Sequence, residues 1–564
     1  MKEFIQEGPV LEDNQFSVDS LLQDYLGTQI PADFYGTMKP DLERFGARVM
    51  GDILKMGEDA DANPPVHIPF DAFGHRIDEI RVAKGWDEMS RVSAVEGLVA
   101  IGYERKYGPY SRLYQMAKNY LFAPSSAYYS CPLAMTDGAA KLIENFGSEN
   151  LKASALSHLT SRDPDFFWAS GQWMTERTGG SDVGTSETRA RKDGEGWRLY
   201  GVKWFTSAVT SPMAMTLARI ENEKGEVVPG SKGLSLFFIK LKNDDGKYNN
   251  LEIIRLKDKL GTRALPTAEL RLEGSRALLV GEVGRGVKTI ATLFNVTRIH
   301  NALSAVASSR RMLSWARAYA TKREAFGKLL KDHPLHIQTL TELETEFQGA
   351  FHLFFYTAKL LGLDEAGTAE ERKRAAPLLR IYTPLAKLYT AKQNLKITSE
   401  VIESFGGVGY LENSGLSKWL RDGQTLSIWE GTTNVLSLDV LRSMQKENTF
   451  PPFVKDLSAR LTNLKDAELK LCGQKIMREL ESLQKFVSQA QTEGDDFMQA
   501  QARHFAYSLA RVAMVALMLE FADQLTPKSK KYHLTAKRMA EKKLVSLLWA
   551  DSQWRQDSQQ ILSL

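Results

Sequence analysis

The segment Ser427-Ile428-Trp429-Glu430-Gly431-Thr432-Thr433-Asn434 sets one carboxylate between a bulky apolar pair and a tight, hydroxyl-rich turn. Residues 435–442 carry apolar side chains at helical spacing, so the turn opens a helix, with Thr432 or Thr433 as its N-cap. Gly431 gives the backbone room to turn. Ionising a carboxylate beside Ile428 and Trp429 is costly, which raises its pKa toward the range useful to a general base. A solvated capping acid fits the same residues and, taken alone, is the commoner arrangement.

Two other segments group hydroxyls, glycines and an aromatic at close spacing. Met174-Thr175-Glu176-Arg177-Thr178-Gly179-Gly180-Ser181-Asp182 reads as a strand running into a Gly-Ser-Asp turn. Gly201-Val202-Lys203-Trp204-Phe205-Thr206-Ser207 reads as a strand, on which Trp204 and Thr206, two residues apart, point to one face. With the Trp-Glu-Gly-Thr turn, and in this order, these segments resemble the flavin-dependent acyl-CoA dehydrogenases. The resemblance spans residues 90–445. The N-terminal extension and long C-terminal tail look most like the AidB-type subgroup, flavoproteins with an added helical domain.

The resemblance implies FAD and the residues that hold it. A flavin needs hydrogen bonds at its pyrimidine edge and N5, a flat partner for one ring face, and donors for its pyrophosphate. Carried over position by position, Met174 and Thr175 meet the flavin edge, and Gly180 and Ser181 lie near the pyrophosphate. Trp204 packs on the isoalloxazine and the Thr206 hydroxyl approaches N5. Arg323-Glu324-Ala325-Phe326-Gly327 resembles the Arg-x-x-Phe-Gly segment, through which Arg323 and Phe326 reach a second subunit's FAD. Phe405-Gly406-Gly407-Val408-Gly409-Tyr410 matches the turn whose backbone, at Gly406 and Gly407, approaches the dinucleotide. Thr432 and Asn434 complete the cofactor set, while Ser181, Arg298, Glu430 and Gly431 form the substrate set. Some relatives draw their catalytic base from the helix position of Thr297, which cannot serve, so Glu430 is the base on family grounds. Two positions depart from the pattern: Trp173 stands where a smaller residue is usual, and Glu403 where Gln is usual. Gly281-Glu282-Val283-Gly284-Arg285-Gly286-Val287-Lys288-Thr289 is a near-miss P-loop whose Lys comes one position late.

The expected activity is therefore FAD-dependent α,β-dehydrogenation of a medium- or long-chain fatty acyl-CoA to the trans-2-enoyl-CoA, an oxidoreductase acting on CH–CH bonds. Small residues Ala123, Ser125 and Ser126 leave room for such a chain. Electron-transferring flavoprotein is the family's default oxidant, and a homotetramer built as a dimer of dimers its common assembly. Two other functions fit the same resemblance: a protein that sequesters fatty acyl-CoA to regulate lipid metabolism, and a nucleic-acid-associated AidB-like flavoprotein.

These groups need a scaffold of alternating character. Residues from about 35 to 165 read as mainly helical, with Trp86, Met89, Val92 and Val95 recurring every third position. Segments 197–205, 233–242 and 269–274 are rich in β-formers and punctuated by Gly. Long periodic segments return at 296–320, 335–361 and 378–405, and the tail repeats the pattern in two blocks either side of the polar stretch 491–496. The expected fold class is α+β: an N-terminal extension and helical domain (1–165), a middle antiparallel β domain (166–283), a four-helix bundle (284–445) and a C-terminal helical extension (446–564).

A chain of 564 residues exceeds what one core serves, and 43% hydrophobic with 25% charged residues is a globular composition. From residue 451 onward 17 Lys and Arg face 13 Asp and Glu, so the tail holds the whole chain's net charge of +4. Its clearest basic cluster, 528–543, reads as a solvated helix face or a surface packing on a neighbouring subunit, and nucleic acid is not expected. Cys131 and Cys472 are the only cysteines, which excludes a disulfide framework, and no His or Cys spacing suggests a metal. No apolar run reaches the ~20 residues of a membrane span. The acidic N-terminus is unlike a transit peptide, and Leu562-Ser563-Leu564 lacks the basic centre of a peroxisomal signal. The cytoplasm is the expected location, or the mitochondrion where a transit peptide has been removed.

Overall fold

The computed structural model describes residues 7–527, 529–547 and 552–563. Residues 1–6, Lys528 and Leu564, on which parts of the targeting and charge readings rest, lie outside the described residues. Packing divides the chain into two compact units: 10–311 with 398–426, and the stretch up to Pro9 with 312–397 and 427–564.

The first unit begins with helices Ala32–Arg48, Asp52–Ala62, Lys84–Val95, Ser111–Phe122 and Ser130–Phe146. On Lys84–Val95 the residues Trp86, Met89 and Val92 are buried, but Val95 is 54% exposed. A spacing of three walks around a helix of 3.6 residues per turn, and nine residues on it has reached the face opposite Trp86. The helical run is interrupted by an antiparallel hairpin, β1 (Val66–Phe70) and β2 (Arg76–Arg81). Pro69 and the half-exposed surface hide this strand from a periodicity argument, while Asp71 tightens the turn by accepting from the Phe73 and His75 N–H groups.

Deeper in these helices, Asp137 is fully buried and saturated. It accepts from Arg112 (2.8 Å), Gln115 (2.9 Å), His300 (2.9 Å) and the Tyr103 hydroxyl (2.8 Å). Three neighbouring helical segments and His300, 163 residues further on, are pinned at one carboxylate.

The β domain comprises β3 (Ser170–Trp173), β4 (Arg189–Asp193), β5 (Gly196–Ser207), β6 (Met213–Ile220), β7 (Leu234–Lys240), β8 (Leu251–Leu256) and β9 (Thr267–Val280). Pairings β6–β4, β4–β5, β5–β9, β9–β7 and β7–β6 close the sheet on itself. All are antiparallel except that β3 and the start of β4 run parallel to β6. The period of two explains the two cores. Met213, Met215 and Leu217 of β6 join the core shared with helix residues such as Leu142 and Leu293, while Ala214 and Ala218 face Trp173, Leu199 and Phe237. β6 is buried on both faces, hence its near-continuous apolar run.

In the second unit lie helices Pro334–Ala366 and Thr433–Glu447, parts of Gly286–Ala320 and Ala369–Ser404, and tail helices Phe450–Thr462, Ala467–Glu493, Asp495–Leu525 and Lys530–Glu541. The polar stretch 491–496 is a helix break at Gly494, whose φ of +95° suits glycine. Asp495–Leu525 is long and apolar enough to cross a membrane, a run the sequence reading passed over, yet 83% of its most apolar window is buried within the protein. The basic cluster finds partners inside the chain: Lys537 with Glu468 (2.8 Å), Arg538 with Gln338 (2.8 Å) and Lys542 with Glu346 (2.6 Å). These side chains dock the helix Lys530–Glu541 and the residue that follows it.

His352, buried beside Phe351 and Phe521, has its pKa pulled down to about 3 by burial. It stays neutral in the folded state while an unfolded His takes a proton below about 6.5. The stability tied to this neutral form is complete above that pH and is lost progressively as pH falls toward about 3. A His352→Leu variant is therefore expected to show a flatter thermal midpoint across that acid range. A midpoint that falls with pH as steeply as in the unmodified protein would assign the acid sensitivity elsewhere.

Candidate functional site

In the first unit two segments are bonded into one cradle. Thr175 follows β3, and its carbonyl accepts from the Trp204 N–H of β5 at 2.9 Å. Beneath them lies a buried pair. The Lys203 ammonium donates to Glu176 (2.6 Å) and to the Leu217 carbonyl (2.9 Å), and Glu176 also accepts from the Thr188 hydroxyl (2.6 Å) and the Glu187 N–H (2.6 Å). Burial opposes the charge on Glu176, but the Lys203 ammonium outweighs it and holds the carboxyl below its usual range. The loop carrying Gly180 and Ser181 thus hangs from a rigid base, with Met174 buried and Ser181 exposed. A Cβ on Gly180 would lie 2.8 Å from the Thr175 hydroxyl, so glycine is needed for the loop to close on that threonine.

Trp173, unusual for the family, fits. It is fully buried, its indole N–H donates to the Ser207 carbonyl (3.2 Å), and Gly171 makes the room, since a Cβ there would be 2.6 Å from the indole nitrogen.

Strict alternation along β5 does not survive. The register with β9 shifts between Lys203 and Thr206. This bulge leaves Trp204 half-buried, Phe205 exposed and Thr206 buried, with the Thr206 hydroxyl donating to the Ala268 carbonyl at 2.8 Å. The bulge, rather than a shared face, sets where Trp204 and Thr206 point.

The same unit holds Arg298, half-buried on Gly286–Ala320, and buried Thr297, whose hydroxyl donates to the Phe294 carbonyl. Gly406 (φ +60°) and Gly407 are exposed, with open space where a Cβ would stand, and Glu403 nearby is exposed. Of the small residues expected to widen the acyl pocket, Ser125 bonds the Val49 carbonyl and Ser126 the Ala123 carbonyl. Ala123 lines a small cavity with Tyr128, Ser304, Ser308, Trp419 and Asp422. Asp422 accepts from the Thr262 N–H, and burial pushes its pKa up to about 6.

In the second unit Glu430 is half-buried and adopts a left-handed backbone (φ +56°), with Gly431 at φ +106°. That conformation is costly for a non-glycine residue and persists only where its surroundings impose it. Here Thr432 caps the helix Thr433–Glu447 by accepting from the Val435 N–H. The buried Lys387 ammonium donates to the Gly431 carbonyl at 2.6 Å. Nothing in the sequence reading singled out Lys387. Its one signal is a lysine set between apolar chain neighbours, Ala386 and Leu388. Asn434 is exposed and its side-chain oxygen accepts from Arg503 at 3.5 Å. Arg323 precedes a hairpin of β10 (Glu324–Ala325) and β11 (Lys328–Leu329), whose two turn residues, Phe326 and Gly327, both have positive φ. Phe326 is 98% exposed at this strained tip, an unusual place for a large apolar ring.

Models of known families match most of the chain. Residues 6–166 match the AidB N-terminal domain, 171–275 the acyl-CoA dehydrogenase middle domain, 284–445 its C-terminal domain, and 448–562 the acyl-CoA dehydrogenase 11 C-terminal domain-like family. Acyl-CoA dehydrogenase family member 11 of Caenorhabditis elegans is 42% identical over 97% of this chain and 90% of its own length. AidB of Escherichia coli is 31% identical over 70% of this chain and 72% of its own length. The crystal structure of Caenorhabditis elegans ACDH-11 in complex with C11-CoA superposes with a TM-score of 0.96 at 40% identity, covering 100% of this chain and 97% of that one. The apo form of Bd2924 gives 0.85 at 47% identity over 92% of this chain and 100% of its own. This chain belongs to the acyl-CoA dehydrogenase family, in the AidB-type subgroup with an added C-terminal helical domain.

Proposed function

We propose that the protein removes the α and β hydrogens of a medium- or long-chain fatty acyl-CoA, with Glu430 as the base. The observation that carries this reading is the Glu430 turn, a carboxylate on a strained backbone fixed by Thr432, Gly431 and Lys387. The relative crystallised with C11-CoA supports the substrate class.

The first unit's cradle suits a flavin: a hydroxyl at Thr175, a half-buried indole at Trp204, and a glycine loop at Gly180 closed on that threonine. Met174, Thr175, Gly180, Ser181, Trp204 and Thr206 would hold FAD, joined by Gly406, Gly407, Thr432 and Asn434 and by Arg323 and Phe326 of a second copy. Bound there, FAD supplies the acceptor for the β-hydride. Glu430 takes the α-proton. A thioester α-proton is too weakly acidic for a carboxylate in water, so the developing enolate needs donors at the thioester oxygen, and the Glu430 backbone N–H is one. Exclusion of water strengthens that donor and raises the base's proton affinity. Arg298, Ser181 and Gly431 belong to the substrate side of this reading.

Anaerobic mixing of the FAD-loaded protein with acyl-CoAs of increasing chain length tests it. Medium and long chains are expected to bleach the oxidised flavin within the mixing experiment, and short ones to do so poorly. Tight acyl-CoA binding with no bleaching at any length would replace dehydrogenation with ligand sequestration.

A further inference from the structure

β9 lies between β5 and β8, so Ala268 pairs with Thr206 on one side and Leu256 on the other. This register brings Lys257, which follows β8, against the bulge that carries Trp204. The Lys257 ammonium stands 3.2 Å from the centroid of the Trp204 ring and 4.8 Å from that of Phe205. It is held there by Glu269, 1% exposed, which accepts from Lys257 at 2.6 Å and pairs with Arg255 at 2.7 Å. The exposed Arg177 guanidinium lies 5.2 Å over the same indole. Two cations therefore share the Glu269 carboxylate beside this ring, and two cations, Lys257 and Arg177, lie over the indole.

We propose that Lys257, assisted by Arg177, raises the reduction potential of the flavin that packs on Trp204. The inference rests on the flavin reading of Trp204 given above. Lys257 acts through the indole and is a positioning residue, since it supplies fixed positive charge behind the ring. Hydride transfer adds two electrons and one proton to a neutral flavin and leaves it with one negative charge, while the α-proton stays on Glu430. A cation held near the ring lowers the energy of the negatively charged reduced form and leaves the neutral oxidised form nearly unaffected. Because Glu269 and the sheet fix the ammonium beforehand, no reorganisation is needed when the charge arrives.

The test is a spectroelectrochemical titration of the FAD-loaded full-length protein, with FAD affinity measured on the same samples. Lys257→Met is expected to lower the midpoint potential by about 30 mV, a tenfold weaker preference for the reduced form. Lys257→Arg is expected to hold the potential, because it keeps the charge. Arg177→Gln, at an exposed position that the fold does not need, is expected to shift the potential the same way by less, and it carries the test should Lys257→Met fold poorly. An unchanged potential in Arg177→Gln together with an unchanged potential in Lys257→Met overturns the inference. An equal fall in Lys257→Arg and Lys257→Met also overturns it, since packing and not charge would then be responsible. Failure of the unmodified protein to bind FAD is a separate result, and it overturns the flavin reading on which the inference stands.

Discussion

Glu430→Gln is expected to bind FAD and acyl-CoA as the unmodified protein does while losing turnover by about 10²–10⁴-fold, the range of a removed general base. Gln keeps the shape of Glu and can occupy the same left-handed turn, because the conformation is imposed from outside the side chain. Gly431 provides the bend, Thr432 caps the helix behind it, and Lys387 holds the Gly431 carbonyl. What changes is the capacity to take a proton. Thr297, the other family position for a base, is a buried threonine whose hydroxyl is already donated to a backbone carbonyl. The rate of flavin bleaching in a single anaerobic turnover is the measurement. Bleaching at the unmodified rate would remove Glu430 from the role of base, and weakened acyl-CoA binding with intact bleaching would recast it as a binding residue.

The second large effect is on stability. Asp137→Leu is expected to cost about 3–5 kcal/mol, because it leaves a buried cation without its counter-charge. Arg112 is 2% exposed, His300 equally so, and both direct their donors at Asp137. Burial opposes the charge on Asp137, but Arg112 and His300 outweigh it and hold the carboxyl well below the usual range. The sign follows: the stability this carboxylate contributes is fully present above the unfolded pKa of about 3.9 and is lost as pH falls through the lower folded value. In Asp137→Leu that acid-side loss should vanish along with the stability itself. The double variant Arg112→Met with Asp137→Leu should recover part of the cost, since a matched apolar pair replaces an orphaned charge. Denaturant midpoints of the two variants check this, and a single variant as stable as the double would mean that the network contributes no coupling.

Much of the architecture could be read from local pattern. The helices Pro334–Ala366 and Ala369–Ser404 declare themselves by apolar periodicity, and β5, β7 and β9 by β-formers between glycines. The helix after the Glu430 turn and its cap were legible too, because capping is settled within three residues. The hairpin β1–β2 was not, since Pro69 and weak burial blur its alternation. The role of the basic tail was misleading in isolation: Lys537, Arg538 and Lys542 look like a free charged face until their partners, 69 to 200 residues away, are known.

The amino-acid sequence alone settles the family, the order of helix and strand, and the residue types at the candidate site, because each depends on short windows of spacing and propensity. It cannot reveal that Gly171 admits Trp173, that a bulge rather than alternation aims Trp204 and Thr206, or that Lys257 rests on that indole. Those facts belong to the register among β5, β8 and β9, where residues some fifty positions apart become neighbours. A side chain's charge is written in its own codon, but the groups it meets and the water it loses are set by strand pairing and burial across the whole fold.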